Sequence, residues 1–254
     1  MRLENKVVVI TGGNSGVGEA AAKLFAKEGA TVVISARRKD ALEKVENEIK
    51  AFGGKVMSVP TDISKVEDCE NLIQTTVSKF GRVDVLVNNA GVLDSGLKAV
   101  DKFSDDDLNK VLDINQKGTM YCMRAALKHM KAAKAGSIVN VASVAGVNGG
   151  GGAVYVSSKA AIIGVTKHAA MLTAGQNIRC NAVCPGNILT PMTSGIDYAN
   201  IDMEILGAMG KHSDLKGCPS CEAADVANVL LFLASDESKP LTGQVLVCDY
   251  GANL

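Results

Sequence analysis

The 254-residue sequence has no excess of charge: 27 lysines and arginines stand against 27 aspartates and glutamates. Binding to a phosphate backbone needs a basic footprint, so nucleic acid is excluded as a partner. Apolar runs of ~18 residues are also missing, which leaves no segment to span a membrane as a helix. The opening MRLENKVVVITGG is a charged start and a short β-like run, without the apolar length and cleavage site of a signal peptide. Cysteine occurs 7 times, an odd number scattered from Cys69 to Cys248, unlike a secreted disulfide framework. Internal repeats and linker-like stretches are absent too. These absences predict a cytoplasmic, reduced protein. A hydrophobic content of 47% allows one large core, and residues 1–254 read as a single unit.

What is present is an alternation. Short β-branched runs lie at Lys6–Thr11, Thr31–Ser35, Lys55–Pro60, Val83–Asn88, Ser137–Val141, Ile178–Pro185 and Gln244–Cys248. Runs such as VVVI and VDVLV are continuous, as in strands of a parallel sheet covered on both faces. Helical patterns fill the intervals at Val17–Glu28, Lys39–Phe52, Val66–Phe80, Ser104–Ala133, Val154–Thr173 and Ala223–Ala234. Ser104 before three aspartates reads as a capped start, and Gly29, Gly81 and Gly175 sit near helix ends. The alternation predicts right-handed βαβ crossovers and a doubly wound α/β fold with a seven-stranded parallel sheet. Only Leu189–Cys221, Met- and Gly-rich, breaks the rhythm. It reads as a small helical lobe beside an active site.

The first strand runs into Thr11-Gly12-Gly13-Asn14-Ser15-Gly16-Val17-Gly18, and a helix pattern follows. Glycines let the backbone turn sharply and approach a pyrophosphate resting on the helix N-terminus. A lone glycine loop is weak evidence; between the first strand and first helix of a parallel sheet it points to a dinucleotide. TGGNSGVG resembles the TGxxxGxG loop of the classical short-chain dehydrogenase/reductase family. The resemblance continues in order through Asn88-Asn89-Ala90-Gly91, Asn115, Ser143, Tyr155, Lys159, Pro185-Gly186 and Thr190. It spans essentially the whole chain and implies a Rossmann fold, an NAD(P) cofactor and interconversion of a ketone with a secondary alcohol. It also implies that Gly12, Asn14, Ser15, Gly16, Val17 and Gly18 hold the cofactor. Asp62 and Ile63 would meet adenine, and Asn89, Ala90, Gly91, Pro185, Gly186, Ile188 and Thr190 would complete the site.

Tyr155 and Lys159 lie one helical turn apart and project from one face. A free phenol titrates near pH ~10. A neighbouring ammonium favours the phenolate and lowers that value by roughly 1–3 units. This predicts a depressed Tyr155, usable as general acid in reduction and general base in oxidation. Ser143 ends the fifth strand, where a hydroxyl can fix the reacting oxygen. By resemblance, Lys159 also binds the nicotinamide ribose and Asn115 supports a water in the proton relay. Each residue alone has a plainer explanation: a helix surface pair, a turn serine, a polar contact from Asn115 to a loop. Their joint occurrence after the glycine loop favours catalysis.

The end of the second strand reads the adenosine ribose. An acid there selects a free 2′-hydroxyl, whereas Ile34-Ser35-Ala36-Arg37-Arg38 offers two guanidiniums suited to phosphate. NADP(H) is favoured and NAD(H) stays open, because Ser15 stands where many NADP-preferring relatives carry a second base.

Other features weigh less. Cys218-Pro219-Ser220-Cys221 has the spacing of a redox pair or half a zinc site, but no second ligand pair accompanies it, and no metal is expected. His129, His168 and His212 show no ligand spacing. Gly149–Gly152 reads as a flexible rim beside Tyr155. Met192, Ile196, Ile201, Met203, Ile205, Leu206 and Met209 either line an apolar substrate pocket or form the lobe's own core. The leading substrate is a hydrophobic, hydroxysteroid-like alcohol or ketone. The alternative is a 3-oxoacyl thioester on acyl carrier protein, weakened by the uncharged Ala170-Met171-Leu172-Thr173 where such reductases carry a basic grip. A non-catalytic dinucleotide-binding regulator is the remote reading. Helix Val154–Thr173, apolar nearly all round, predicts a homo-oligomer, a tetramer as in many relatives.

Overall fold

Strands that are apolar on both faces need helices on both faces, and the chain delivers them in alternation. The computed structural model describes residues 1–194, 196, 198–212 and 219–252. The first half runs β1 (Val7–Thr11), α1 (Gly16–Lys27), β2 (Thr31–Ala36), α2 (Lys39–Ala51), β3 (Lys55–Pro60), α3 (Val66–Phe80) and β4 (Val85–Asn88). The second half runs α4 (Asp105–Val111), α5 (Thr119–Ala133), β5 (Gly136–Val141), α6 (Ala145–Asn148), α7 (Ala153–Thr173), β6 (Ile178–Pro185), α8 (Pro191–Ser194), α9 (Met203–His212), α10 (Ala223–Ala234) and β7 (Val245–Cys248). The seven strands pair in parallel in the order β3-β2-β1-β4-β5-β6-β7. The expected strands and long helices are present, with small shifts at their ends.

One helix departs from expectation. The stretch read as Ser104–Ala133 starts where expected, with the Asp107 amide donating to Ser104 Oγ at 3.2 Å. Between α4 and α5, however, Leu112–Gly118 winds as a π-helix. Such segments re-aim side chains and gather at functional sites. Here Gly118 lets the helix press on the loop after β3, where a Cβ would come within 2.7 Å of the Ile63 carbonyl oxygen.

Alternate residues of each central strand feed two cores. Val8 and Ile10 of β1 face Phe25, Leu42, Ile49 and Leu230 under α1, α2 and α10. Val9 faces the other way, toward Leu72, Met130 and Ala169 under α3, α5 and α7. A buried amide ties α7 to the sheet: Asn140 Nδ2 donates to Thr166 Oγ1 at 2.8 Å, and its Oδ1 accepts from Asn88 Nδ2 at 2.8 Å. Among the described residues of the lobe between β6 and α10, none of the seven apolar residues named above is buried, so they do not form a core there. On α7, Met171 is 69% exposed while Val154, Ile162 and Ala169 are buried. No helix among the described residues is long and apolar enough to cross a membrane.

Asn140→Ala strands the amide of Asn88 in a dry interior, takes the donor away from Thr166 Oγ1, which keeps its own bond to the Ile162 carbonyl, and leaves a cavity. The expected loss is about 2–4 kcal/mol of unfolding free energy, read by urea denaturation.

Candidate active site

In an open parallel sheet, ligands bind beyond the carboxyl ends of the strands where the strand order reverses. That point lies between β1 and β4, and a cleft of about 890 Å³ opens there, lined by the loops after β1 to β6.

At one end of the cleft is a cradle without side chains. Gly12 and Gly16 have φ of +67° and +54°, a region that disfavours any Cβ. A Cβ on Gly12 would approach Ala90 Cα to 2.9 Å, and one on Gly18 would overlap the Gly12 carbonyl. Asn89 Nδ2 binds the two strands' loops together, donating to the carbonyls of Thr11 (3.0 Å) and Gly12 (3.2 Å). The Ser15 side chain makes no capping hydrogen bond, so the amides opening α1 remain for an anion. Asn14, Ser15, Gly16 and Val17 line the cleft; Gly18 does not, and instead packs beneath the loop. Across the cleft, Thr190 sits against Gly16, near Pro185, Gly186 and Ile188.

Further along the cleft, Arg37 and Arg38 are exposed and line the wall. Beside them the buried Ser35 hydroxyl has no hydrogen-bond partner. Asp62 receives the Ser64 amide at 3.1 Å and its hydroxyl at 2.7 Å. Burial opposes ionisation of Asp62, but those bonds and nearby Arg37 outweigh it and hold the carboxyl below its ordinary value. Ile63 packs next to it, and Asn89, Ala90 and Gly91 complete the wall. An uncapped helix, a cradle that a Cβ would fill and an orphaned hydroxyl fit a dinucleotide.

The other end holds Ser143, Tyr155 and Lys159. Lys159 is only 3% exposed, and its Nζ donates to the Val141 carbonyl at 3.0 Å. Burial pulls its pKa down to about 8. Its Nζ lies 5.6 Å from the Tyr155 ring centroid. The expected depression of Tyr155 is not what the structure gives. Burial pushes the phenol above its ordinary value, and Ser143, lying against it, pulls only partly the other way. Desolvation of the phenolate outweighs that bond.

Asn115 is brought to this end but does not line the cleft. Its Oδ1 accepts from the Val92 amide at 2.8 Å, and its Nδ2 donates to the Val92 carbonyl (2.9 Å) and to Ser158 Oγ (3.0 Å). It is a strut joining the π-helical turn, the loop after β4 and α7. Gly91 leaves the space, since a Cβ there would lie 3.2 Å from Asn115 Oδ1 and 3.4 Å from Lys159 Nζ. Of the lobe's apolar residues, Met192, Ile196 and Met209 line the cleft, with Leu93 and Leu97 opposite; Ile201, Met203, Ile205 and Leu206 do not.

Reading the sequence missed Asp94, buried beside the N-terminus of α7, whose charge also raises Tyr155. Its signal was an aspartate in VLDSG, just past the Asn-Asn-Ala-Gly motif. The Cys218 expectation lies outside the described residues. Cys221 is buried, donates to the Cys248 carbonyl at 3.3 Å, and is pushed by burial up to about 11, a protonated thiol. His168 is exposed, His129 half-buried, and the His212 side chain lies outside the described residues.

A doubly wound sheet with a glycine cradle at its switch point and a Ser-Tyr-Lys group beyond it defines a dinucleotide-dependent dehydrogenase or reductase. Residues 12–253 match the family described as enoyl-(acyl carrier protein) reductase. The chain is 40% identical to the 3-oxoacyl-[acyl-carrier-protein] reductase FabG of Thermotoga maritima, over 99% of both chains. It is 32% identical to 3beta-hydroxysteroid dehydrogenase 2 of Eggerthella lenta, over 98% of this chain and 95% of that one. The crystal structure of levodione reductase superposes with a TM-score of 0.90 at 31% identity, covering 99% of both chains. The protein belongs to the short-chain dehydrogenase/reductase family, enzymes acting on CH–OH and C=O groups.

Lys159→Met keeps the stem and removes a desolvated charge. A lysine depressed in the folded state costs stability below its folded value, and the cost fades as pH rises from about 8 to the unfolded value. After losing the Val141 hydrogen bond, the variant should gain about 2 kcal/mol at pH 7 and nearly nothing at pH 10. Denaturation at both pH values checks it.

Proposed function

We propose that the protein is an NADP(H)-dependent oxidoreductase that interconverts a hydrophobic ketone and its secondary alcohol, with residues 1–254 acting as one unit. The observation that carries this reading is the placement of Tyr155, Ser143 and Lys159 at one end of a cleft whose other end is the glycine cradle. The nicotinamide, when bound, supplies the hydride for reduction and takes it in oxidation. Ser143 donates a hydrogen bond to the substrate oxygen and Tyr155 gives that oxygen its proton. The raised phenol of Tyr155 is protonated at neutral pH, the form that donates a proton in carbonyl reduction. Lys159 holds the ribose and orients the phenol, and Asn115 keeps α7 and the loop after β4 in register. Leu93, Leu97, Met192, Ile196 and Met209 support an apolar substrate, hydroxysteroid-like in size. The likeness to the Thermotoga reductase supports a second reading, a 3-oxoacyl thioester on acyl carrier protein. Turnover with hydroxysteroids, acyl thioesters and simple ketones separates the two, and turnover of any of them excludes a non-catalytic regulator.

The free thiols of the described residues accord with a reducing cytoplasm. The exposed Met171 and Leu172 of α7 support a homotetramer, and a monomeric mass in light scattering at micromolar concentration would refute it.

Tyr155→Phe retains the ring and deletes the transferable proton. It should lower kcat by about 10²–10⁴-fold while NADPH affinity is unchanged; a variant that keeps most of its turnover refutes the mechanism.

Arg37 supports NADP over NAD, because a charge-assisted hydrogen bond to a 2′-phosphate is worth about 1.5–3 kcal/mol. Arg37→Ala should therefore raise KM for NADPH roughly ten- to a hundredfold and leave NADH kinetics alone. A wild-type preference for NADH would overturn the assignment.

A further inference from the structure

Asp94 lies beneath the glycine run that precedes α7. It is 5% exposed, and neither of its carboxylate oxygens has a hydrogen-bond partner. It does not line the cleft. The N-cap of α7 is Gly152, with extended backbone (φ −65°, ψ 143°) and no side chain to offer. A Cβ built on Gly152 would overlap Asp94 Oδ2. The carboxylate thus occupies the space in which an ordinary N-cap side chain stands. Two amides of the first turn are accounted for: that of Ala153 donates to the Lys98 carbonyl at 2.9 Å, and that of Val156 to the Gly152 carbonyl at 2.9 Å. The amide of Tyr155, the third residue of the helix, and the amide of Asp94 itself both favour the carboxylate's charge, as amides at an N-cap do, without reaching a full hydrogen bond.

The charged and titratable surroundings are few. Asp107 of α4 repels Asp94 and is itself held by the Ser95 amide at 2.7 Å. Tyr155 faces it from α7. Lys98, on the loop, is turned away, with its Nζ on the Asn200 carbonyl at 2.9 Å. Burial, helped by Asp107 and opposed by the amides of Asp94 and Tyr155, pushes the Asp94 carboxyl up to about 6. Above that pH its charge makes the Tyr155 phenol harder to ionise.

We propose that Asp94 is a positioning residue for Tyr155: from a distant loop its carboxylate takes the place of the missing N-cap side chain of the Tyr155 helix and lays its charge against that helix's first turn. Its part in turnover rests on the reading of Tyr155 as the acid–base group, whereas the capping and the titration stand apart from it. Asparagine caps as well as aspartate, so Asp94→Asn keeps the shape and removes only the charge.

The test is an ultraviolet phenolate titration of the whole protein, with Tyr155 isolated by subtracting the Tyr155→Phe spectrum, joined to a stability cycle. In Asp94→Asn the Tyr155 transition should move about one pH unit lower. Gly152→Ser alone should destabilise, because its side chain meets Asp94. In Asp94→Ala/Gly152→Ser the serine should take over the cap and recover the lost thermal midpoint, while the phenolate transition stays at the lowered pH. An unmoved transition in Asp94→Asn overturns the electrostatic half, and a double variant no more stable than Gly152→Ser overturns the capping half. Full turnover by Tyr155→Phe would instead refute the acid–base reading, and the titration and the stability cycle would still decide on Asp94.

Discussion

A lysine ammonium with one carbonyl for a partner is a costly thing to bury, and the site is organised around that cost. The Nζ of Lys159 reaches the Val141 carbonyl at the end of β5, so α7 must lie close over the sheet edge. Small residues make that approach feasible: a Cβ on Gly146 would come within 2.6 Å of the Lys159 carbonyl carbon, and Gly91 clears the space before Nζ. The Asn140 amide and the Asn115 strut then fix α7 against β4, β5 and the π-helical turn. Removing a buried charge's surroundings from water raises every nearby electrostatic stake.

Three ionisable groups feel the same desolvation, and all three move toward neutrality. Lys159 falls, while Tyr155 and Asp94 rise. The protein by itself therefore presents a phenol rather than a phenolate, beside a lysine that is partly neutral near pH 8. On the proposed reading, a dinucleotide whose hydroxyls reached Nζ would change this balance through Lys159, because acceptors there favour its charged form.

Much of this was legible in the residues. Continuous apolar runs such as VVVI and VDVLV announce a parallel sheet, and the glycine loop places its switch point. Spacing put Tyr155 and Lys159 on one helix face, and the family resemblance added Ser143. What spacing cannot carry is dielectric: Tyr155 beside Lys159 reads as an activated phenol until the burial of Lys159 and the desolvation of the half-buried phenol are seen. The π-helical turn at Leu112–Gly118 was hidden because one wider turn leaves the apolar pattern of the flanking helices intact. Asp94 was hidden because its partner is a helix end without a side chain, and Gly152 read as rim rather than as space vacated for a carboxylate.

The most direct measurement is the proton balance of NADPH binding at pH 8, by titration calorimetry in buffers of different ionisation enthalpy. If Lys159 is held near half-neutral by burial, binding should draw a fraction of a proton into the wild-type protein and none into Lys159→Met. Equal uptake in both proteins, or none in either, would contradict the account.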